Sequence, residues 1–161
     1  MSDTIRVYRG LAQAFRREDV DTIFVLTGDG NMHWEAALSE DEKVRAFHLW
    51  HEHCTVATAS AYAVASGKVG VASVTCGPGV TQLMTALATA ANSRIPLVVF
   101  AGESGVAAPK ADQVNLLTFE RIHDLAGYVM SAFHQVGDND TVSDPFPSVG
   151  TKKTLQRGRA I

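Results

Sequence analysis

The sequence predicts a doubly wound α/β fold, a mostly parallel sheet with helices on both faces. Three observations predict it. Short, continuous apolar runs recur along the chain, as expected of strands buried on both sides. Longer stretches of helical periodicity separate them. Glycine-rich breaks, Thr27-Gly28-Asp29-Gly30-Asn31 and Gly77-Pro78-Gly79, fall where a strand hands over to the next segment. Strands alternating with helices of this length imply βαβ units, and right-handed crossovers place helices on both faces.

The elements follow in order. Residues 4–18 read as an amphipathic helix, with Ile5, Tyr8, Leu11, Ala12 and Phe15 at helical spacing. Thr22 to Leu26 is a buried strand, and residues 27–31 are its turn. Residues 32–38 suit a short helix. Lys43 to Leu49 reads as a second strand, and 53–66 as a long alanine-rich helix. Val69 to Thr75 is a third strand. Gly77-Pro78-Gly79 breaks the chain before a helix from Val80 to Ser93, and Leu97 to Ala101 is a fourth strand. Val114 to Met130 has helical character. Beyond Gly137 the run of Asp138, Asn139, Asp140, Asp144, Pro145 and Pro147 resembles a linker. The chain therefore divides into a domain over 1–137 and a linker or mobile tail over 138–161. The tail's Lys152, Lys153, Arg157 and Arg159 are expected to be mobile or docked on a partner.

Composition bounds the function. The 161 residues suit one domain with a respectable core. Apolar residues make up 46% and charged residues 19%, ordinary for a globular protein. A net charge of −3 offers no basic field for nucleic acid. The apolar runs are too short to span a membrane, and Met1 to Arg6 lacks the layout of a signal peptide. Cys54 and Cys76 share no close spacing and read as reduced, buried thiols of a cytoplasmic protein.

Glu52 is the candidate for chemistry. It stands where the second strand gives way to the alanine-rich helix, and α/β folds bind ligands at the carboxyl ends of their strands. Taken alone it reads first as a helix N-terminal acid serving the dipole. His51-Glu52 is followed by Gly67-Lys68-Val69-Gly70-Val71, then Thr75-Cys76-Gly77-Pro78-Gly79, then the apolar run from Pro96 to Gly102. In that order and spacing, residues 10–103 resemble the pyrimidine-binding (PYR) domain of thiamine diphosphate enzymes. That family includes acetolactate synthase and 2-oxo acid decarboxylases, among them the two-chain sulfopyruvate and phosphonopyruvate decarboxylases.

The resemblance implies the thiamine diphosphate-binding fold, thiamine diphosphate as cofactor and a 2-oxo acid lyase or carboligase activity. It implies that Glu52 hydrogen-bonds the aminopyrimidine ring and so activates the cofactor. It implies that Thr75, Gly77, Pro78 and Gly79 shape the ring pocket. Asp29, with Asn31 and His33 close by, is carried over to the substrate side, and so is Gln113. Where relatives have Gly-x-Pro-Gly this chain has Thr27-Gly28-Asp29-Gly30, and Gln82 replaces a frequent asparagine. No paired histidine follows the fourth strand, which sets the chain apart from pyruvate decarboxylases. A carboxylate among apolar groups such as Phe47, Leu49 and Trp50 would exchange protons near neutral pH.

The family's metal-binding half uses Gly-Asp-Gly followed later by an asparagine pair. Gly28-Asp29-Gly30 precedes the glutamate, and residues 54–60 contain no asparagine, so this triplet reads as a turn. Mg²⁺ is therefore expected on a partner domain, not on this chain. The expected assembly is at least a dimer, with a separate diphosphate-binding subunit or domain. A non-catalytic regulatory or interaction module with a PYR-like fold is the alternative.

Other readings fare worse. His48, His51 and His53 do not form His-Glu-x-x-His, since residue 55 is threonine. A dinucleotide fingerprint would need a third glycine, and no Gly-x-Ser-x-Gly marks a hydrolase. Lys68 reads as a solvated turn residue. Neither cysteine has an evident activating base.

Overall fold

The computed structural model describes residues 5–102 and the backbone of residues 141–142. Ten elements run β1 (Ile5–Arg6), α1 (Val7–Arg17), β2 (Thr22–Val25), α2 (Met32–Ser39), β3 (Arg45–His48), α3 (Glu52–Ser66), β4 (Gly70–Val74), α4 (Pro78–Asn92), β5 (Leu97–Ala101) and β6 (Thr141–Val142). The four strands β3-β2-β4-β5 form one parallel sheet, with Val25 opposite His48 and Val74 opposite Ala101. This is the predicted doubly wound α/β class.

The sheet order dictates where the helices lie. The chain leaves β2 outward to β3, then returns past β2 to β4 and on to β5. Right-handed crossovers in opposite directions put α2 on one face and α3 and α4 on the other. Strand alternation then splits the core in two. Ile23, Val25 and Val71 pack with Leu11, Ala12, Trp34 and Leu38 on the α1–α2 face. Phe24, Ala72 and Val74 pack with Val56, Ala59, Val80 and Leu83 on the α3–α4 face. Burying one such side chain contributes about 2 kcal/mol. Ala59, Ala63, Ala86 and Ala90 are buried, so much of the small-residue stripe serves close packing within the chain.

Two boundaries depart from the sequence reading. Ile5 and Arg6 are extended and pair antiparallel with Val142 and Thr141, so α1 begins only at Val7. A strand had not been expected in 138–161. The helix after Gly77 begins earlier than predicted, at Pro78, where the fixed φ of proline suits the first turn. The segment 114–130 and Gln113 lie outside the described residues.

Candidate functional site

β2 and β4 are adjacent, but the turns leaving them run to helices on opposite faces. That divergence opens a crevice beyond their carboxyl ends, where open α/β sheets bind ligands. The turn 27–31 forms one wall, and residues 75–79 form the other.

The first wall is braced from below. Asn31 is 1% exposed, and its Oδ1 accepts from the backbone N–H of Gly28 at 2.8 Å. Its Nδ2 donates to Ser73 Oγ at 2.9 Å and to the Leu26 carbonyl at 3.2 Å. The side chain is thus committed to the turn and does not join Asp29, contrary to the expectation from sequence. His33 lies against Tyr8 of α1, ring centroids 5.6 Å apart, and does not join it either. Asp29 stands exposed, with no hydrogen bond or ion pair among the described residues.

The two walls touch. A Cβ on Gly28 would lie 2.6 Å from Cβ of Thr75, so the turn fits only without a side chain there. The Gly30 N–H donates to Thr75 Oγ1 at 3.3 Å. Thr75 therefore acts as a brace between the walls. Gly77 has φ 59° and ψ −117°, a conformation open to glycine, and it turns the chain into α4.

Glu52 is the first residue of α3, reached from the edge strand β3. His51 caps that helix: its Nδ1 accepts from the His53 N–H at 3.1 Å. The Glu52 side chain is half-buried and crosses toward the second wall. A Cβ on Gly79 would sit 3.6 Å from Glu52 Oε1 and 3.4 Å from Thr75 Cγ2. Glu52, Thr75 and Gly79 therefore meet at one point of the rim, beside Gly77 and Pro78. The carboxylate makes no hydrogen bond or ion pair among the described residues. An acceptor-only group left open above a surface free of side chains suits a flat ring with an N–H to donate.

The apolar enclosure expected around Glu52 is not formed among the described residues. Leu49 packs on the core, but Trp50 is 97% exposed and Phe47 47% exposed, because β3 is an edge strand. Cys54 is also exposed rather than buried, and the two cysteines form no disulfide.

Two clusters carried no signal in the sequence, since their members are far apart along it. At the carboxyl rim, Thr27 Oγ1 donates to Glu35 Oε2 at 2.7 Å, and His48 Nε2 lies 3.2 Å from Glu35 Oε1. At the amino end, Lys68 is ion-paired with Asp21, which also accepts from Tyr62 Oη at 2.8 Å. The Lys68 ammonium, aided by the Tyr62 hydroxyl, holds the Asp21 carboxyl down at about 2. Lys68 is thus a solvated turn residue, as expected, that also makes an exposed ion pair.

Residues 5–126 match the family described as thiamine pyrophosphate enzyme, N-terminal TPP binding domain. Among similar curated proteins, the chloroplastic acetolactate synthase of Arabidopsis thaliana is 37% identical over 93 residues, 58% of this chain and 14% of that protein. The acetolactate synthase large subunit of Parasynechococcus marenigrum is 41% identical over 103 residues, 62% of this chain and 17% of that protein. The acetolactate synthase of Mycobacterium avium is 41% identical over 86 residues, 53% of this chain and 14% of that protein. The matched stretch is thus a small fraction of each relative's length. With the parallel sheet and the crevice between β2 and β4, these matches identify the chain as a member of the thiamine pyrophosphate enzyme family, carrying its N-terminal TPP-binding domain.

Proposed function

We propose that this chain is the PYR part of a 2-oxo acid decarboxylase or carboligase and that Glu52 activates its thiamine diphosphate. One observation carries the proposal. The Glu52 carboxylate, without a hydrogen bond or ion pair among the described residues, reaches across to Gly79 on the wall of the crevice, where no side chain covers it.

The residues present fit the cofactor. Gly77, Pro78 and Gly79 would line one side of the aminopyrimidine, with Thr75 holding that wall against the turn 27–31. Glu52 Oε1 would accept the ring's N–H and exchange that proton with it. When bound, thiamine diphosphate supplies the carbanion chemistry that adds to a 2-oxo acid. Asp29, exposed on a turn fixed by Asn31, would face the substrate. Phe47 and Trp50 would gain their apolar surroundings only when another domain covers them. That domain would hold the diphosphate and Mg²⁺, in an assembly of at least two such units.

The test is turnover of a 2-oxo acid by the holoprotein, assembled with its diphosphate-binding domain. Glu52→Gln should lose at least ~10²-fold in kcat, the usual contribution of a positioned acid–base group. Wild-type turnover in that variant would reject the assignment. Absence of thiamine diphosphate affinity in every assembly would favour the regulatory module instead.

A further inference from the structure

We infer that Thr27, Glu35 and His48 form a second proton-transfer site on the same rim, with His48 Nδ1 as the atom that takes and returns the proton. The catalytic part of this inference rests on the cofactor reading above. Its geometry does not.

Glu35 lies on α2 and is 7% exposed, and a buried carboxylate is costly unless partnered. Its two partners are Thr27 Oγ1, at 2.7 Å from Oε2, and His48 Nε2, at 3.2 Å from Oε1. An ionised carboxylate only accepts. The Thr27 hydroxyl proton is therefore directed at Glu35, and Nε2 of His48 carries a hydrogen. In neutral imidazole that leaves Nδ1 bare. Yet Nδ1 faces Thr27 Oγ1 at 3.4 Å, an oxygen whose only hydrogen is already engaged. Two acceptors confront each other across a gap that lacks one proton. A proton arriving at Nδ1 completes the network: Nδ1–H donates to Thr27, Thr27 to Glu35, and Nε2–H to Glu35.

The position suits a reacting ligand. The His48 side chain is 61% exposed, at the carboxyl end of β3 and four positions before Glu52. It shares a strand face with Ala46, which packs on the α1–α2 core, whereas Glu52 reaches toward α4 on the other face. Thr27 adjoins Gly28, which abuts Thr75, which abuts Gly79 and so Glu52. Two acid–base groups thus stand on one carboxyl rim, on opposite faces of the sheet, joined by this run of contacts. Among the described residues, Glu35 from α2 is the ionisable group in hydrogen-bond or ion-pair contact with His48, and the turn after β2 contributes the Thr27 hydroxyl.

A 2-oxo acid sets the task. Its carbonyl oxygen gains a proton when the carbon is attacked and gives it up when the C=O re-forms. His48 enters the cycle with a proton taken up from solvent at Nδ1, delivers that proton in the first step and recovers it in the second. No bond forms between His48 and carbon, and the imidazole ends each cycle as it began. Glu35 and Thr27 are positioning residues: they fix which nitrogen is bare.

Two measurements test this. In the full chain with ¹⁵N-labelled histidine, neutral His48 should be the Nε2–H tautomer, and Glu35→Gln should abolish that preference. In the holoprotein with thiamine diphosphate, Mg²⁺ and pyruvate, His48→Gln should lower kcat by ~10²-fold with the cofactor titration midpoint unchanged. Glu35→Gln should lower kcat by ~10-fold, at the mild end for a group acting through another, and reshape the pH–rate profile. An Nδ1–H tautomer in the wild type would overturn the geometry, whatever the reaction. Wild-type kcat in His48→Gln, alongside an inactive Glu52→Gln, would overturn the catalytic role and leave the cofactor reading standing. If Glu52→Gln also keeps its rate, the cofactor reading fails and the catalytic role of His48 fails with it.

Discussion

At the amino end of the sheet, Asp21, Tyr62 and Lys68 satisfy one another. At the carboxyl end, Glu52 and Asp29 leave their carboxylates without partners among the described residues. Both ends are made by the same strands, so strand chemistry does not explain the contrast. The kind of fastening does. The carboxyl turns are wedged by Gly28 and Gly102 and tied by the buried side chain of Asn31, all uncharged, which leaves Glu52 and Asp29 free of that task. The amino end has a wedge of its own, Gly70, whose Cβ would lie 2.2 Å from the Ala59 carbonyl oxygen, but there an ion pair is added to it as a second fastening. Turns tied by uncharged groups leave carboxylates for chemistry, and an ion-paired tie uses one up.

Breaking the wedge should have the largest effect on stability. A Cβ on Gly102 would lie 2.1 Å from the carbonyl carbon and oxygen of Gly30, backbone that cannot swing aside. Gly102→Ala should cost about 3 kcal/mol in urea unfolding, the upper part of the usual overpacking range. A loss below about 0.5 kcal/mol, the ordinary scatter of surface substitutions, would show that the turn 27–31 is not locked against Gly102.

Gly79→Ala should separate fold from function. Its Cβ would make ordinary contacts of 3.4 to 3.6 Å, and alanine favours a helix by up to about 1 kcal/mol. Stability should hold or rise, while thiamine diphosphate binding weakens by ~10-fold, about 1.4 kcal/mol. Equal affinity would mean that the ring does not rest on Gly79.

The smallest effect belongs to the amino end. Its ion pair is partly exposed, so Asp21→Asn should cost under about 1 kcal/mol at neutral pH. The sign of the pH dependence follows from the lowered carboxyl. The contribution is present above the unfolded value of 3.8 and is lost as pH falls toward about 2. Chemical denaturation from pH 5 to pH 2 should therefore show a steeper decline in the wild type than in Asp21→Asn. Parallel curves would remove Asp21 from the account.

What the sequence disclosed follows the reach of each signal. β2, β4 and β5 are continuous apolar runs, and each was legible within a residue or so. Glu52 was legible because it opens a helix after a strand, and Gly77 because a positive φ demands glycine. The pairing of Lys68 was not legible because its partner Asp21 precedes a different strand, and the pairing exists only once β2 and β4 are neighbours. Glu35 carries no signal for the same reason, and His48 suggests only a metal ligand. Asn31 was taken for a ligand contact because its polarity is local information, whereas its complete burial over Ser73 is not. Trp50 was expected to enclose Glu52, but an edge strand leaves its flank to the solvent.

The account turns on whether the Glu52 carboxylate activates the cofactor. Hydrogen–deuterium exchange at the reacting carbon of thiamine diphosphate, bound to the holoprotein and quenched in acid, measures that step without a substrate. Exchange should be fast in the wild type and at least ~10²-fold slower in Glu52→Gln. Equal exchange rates in the two proteins, with the cofactor bound in both, would contradict it.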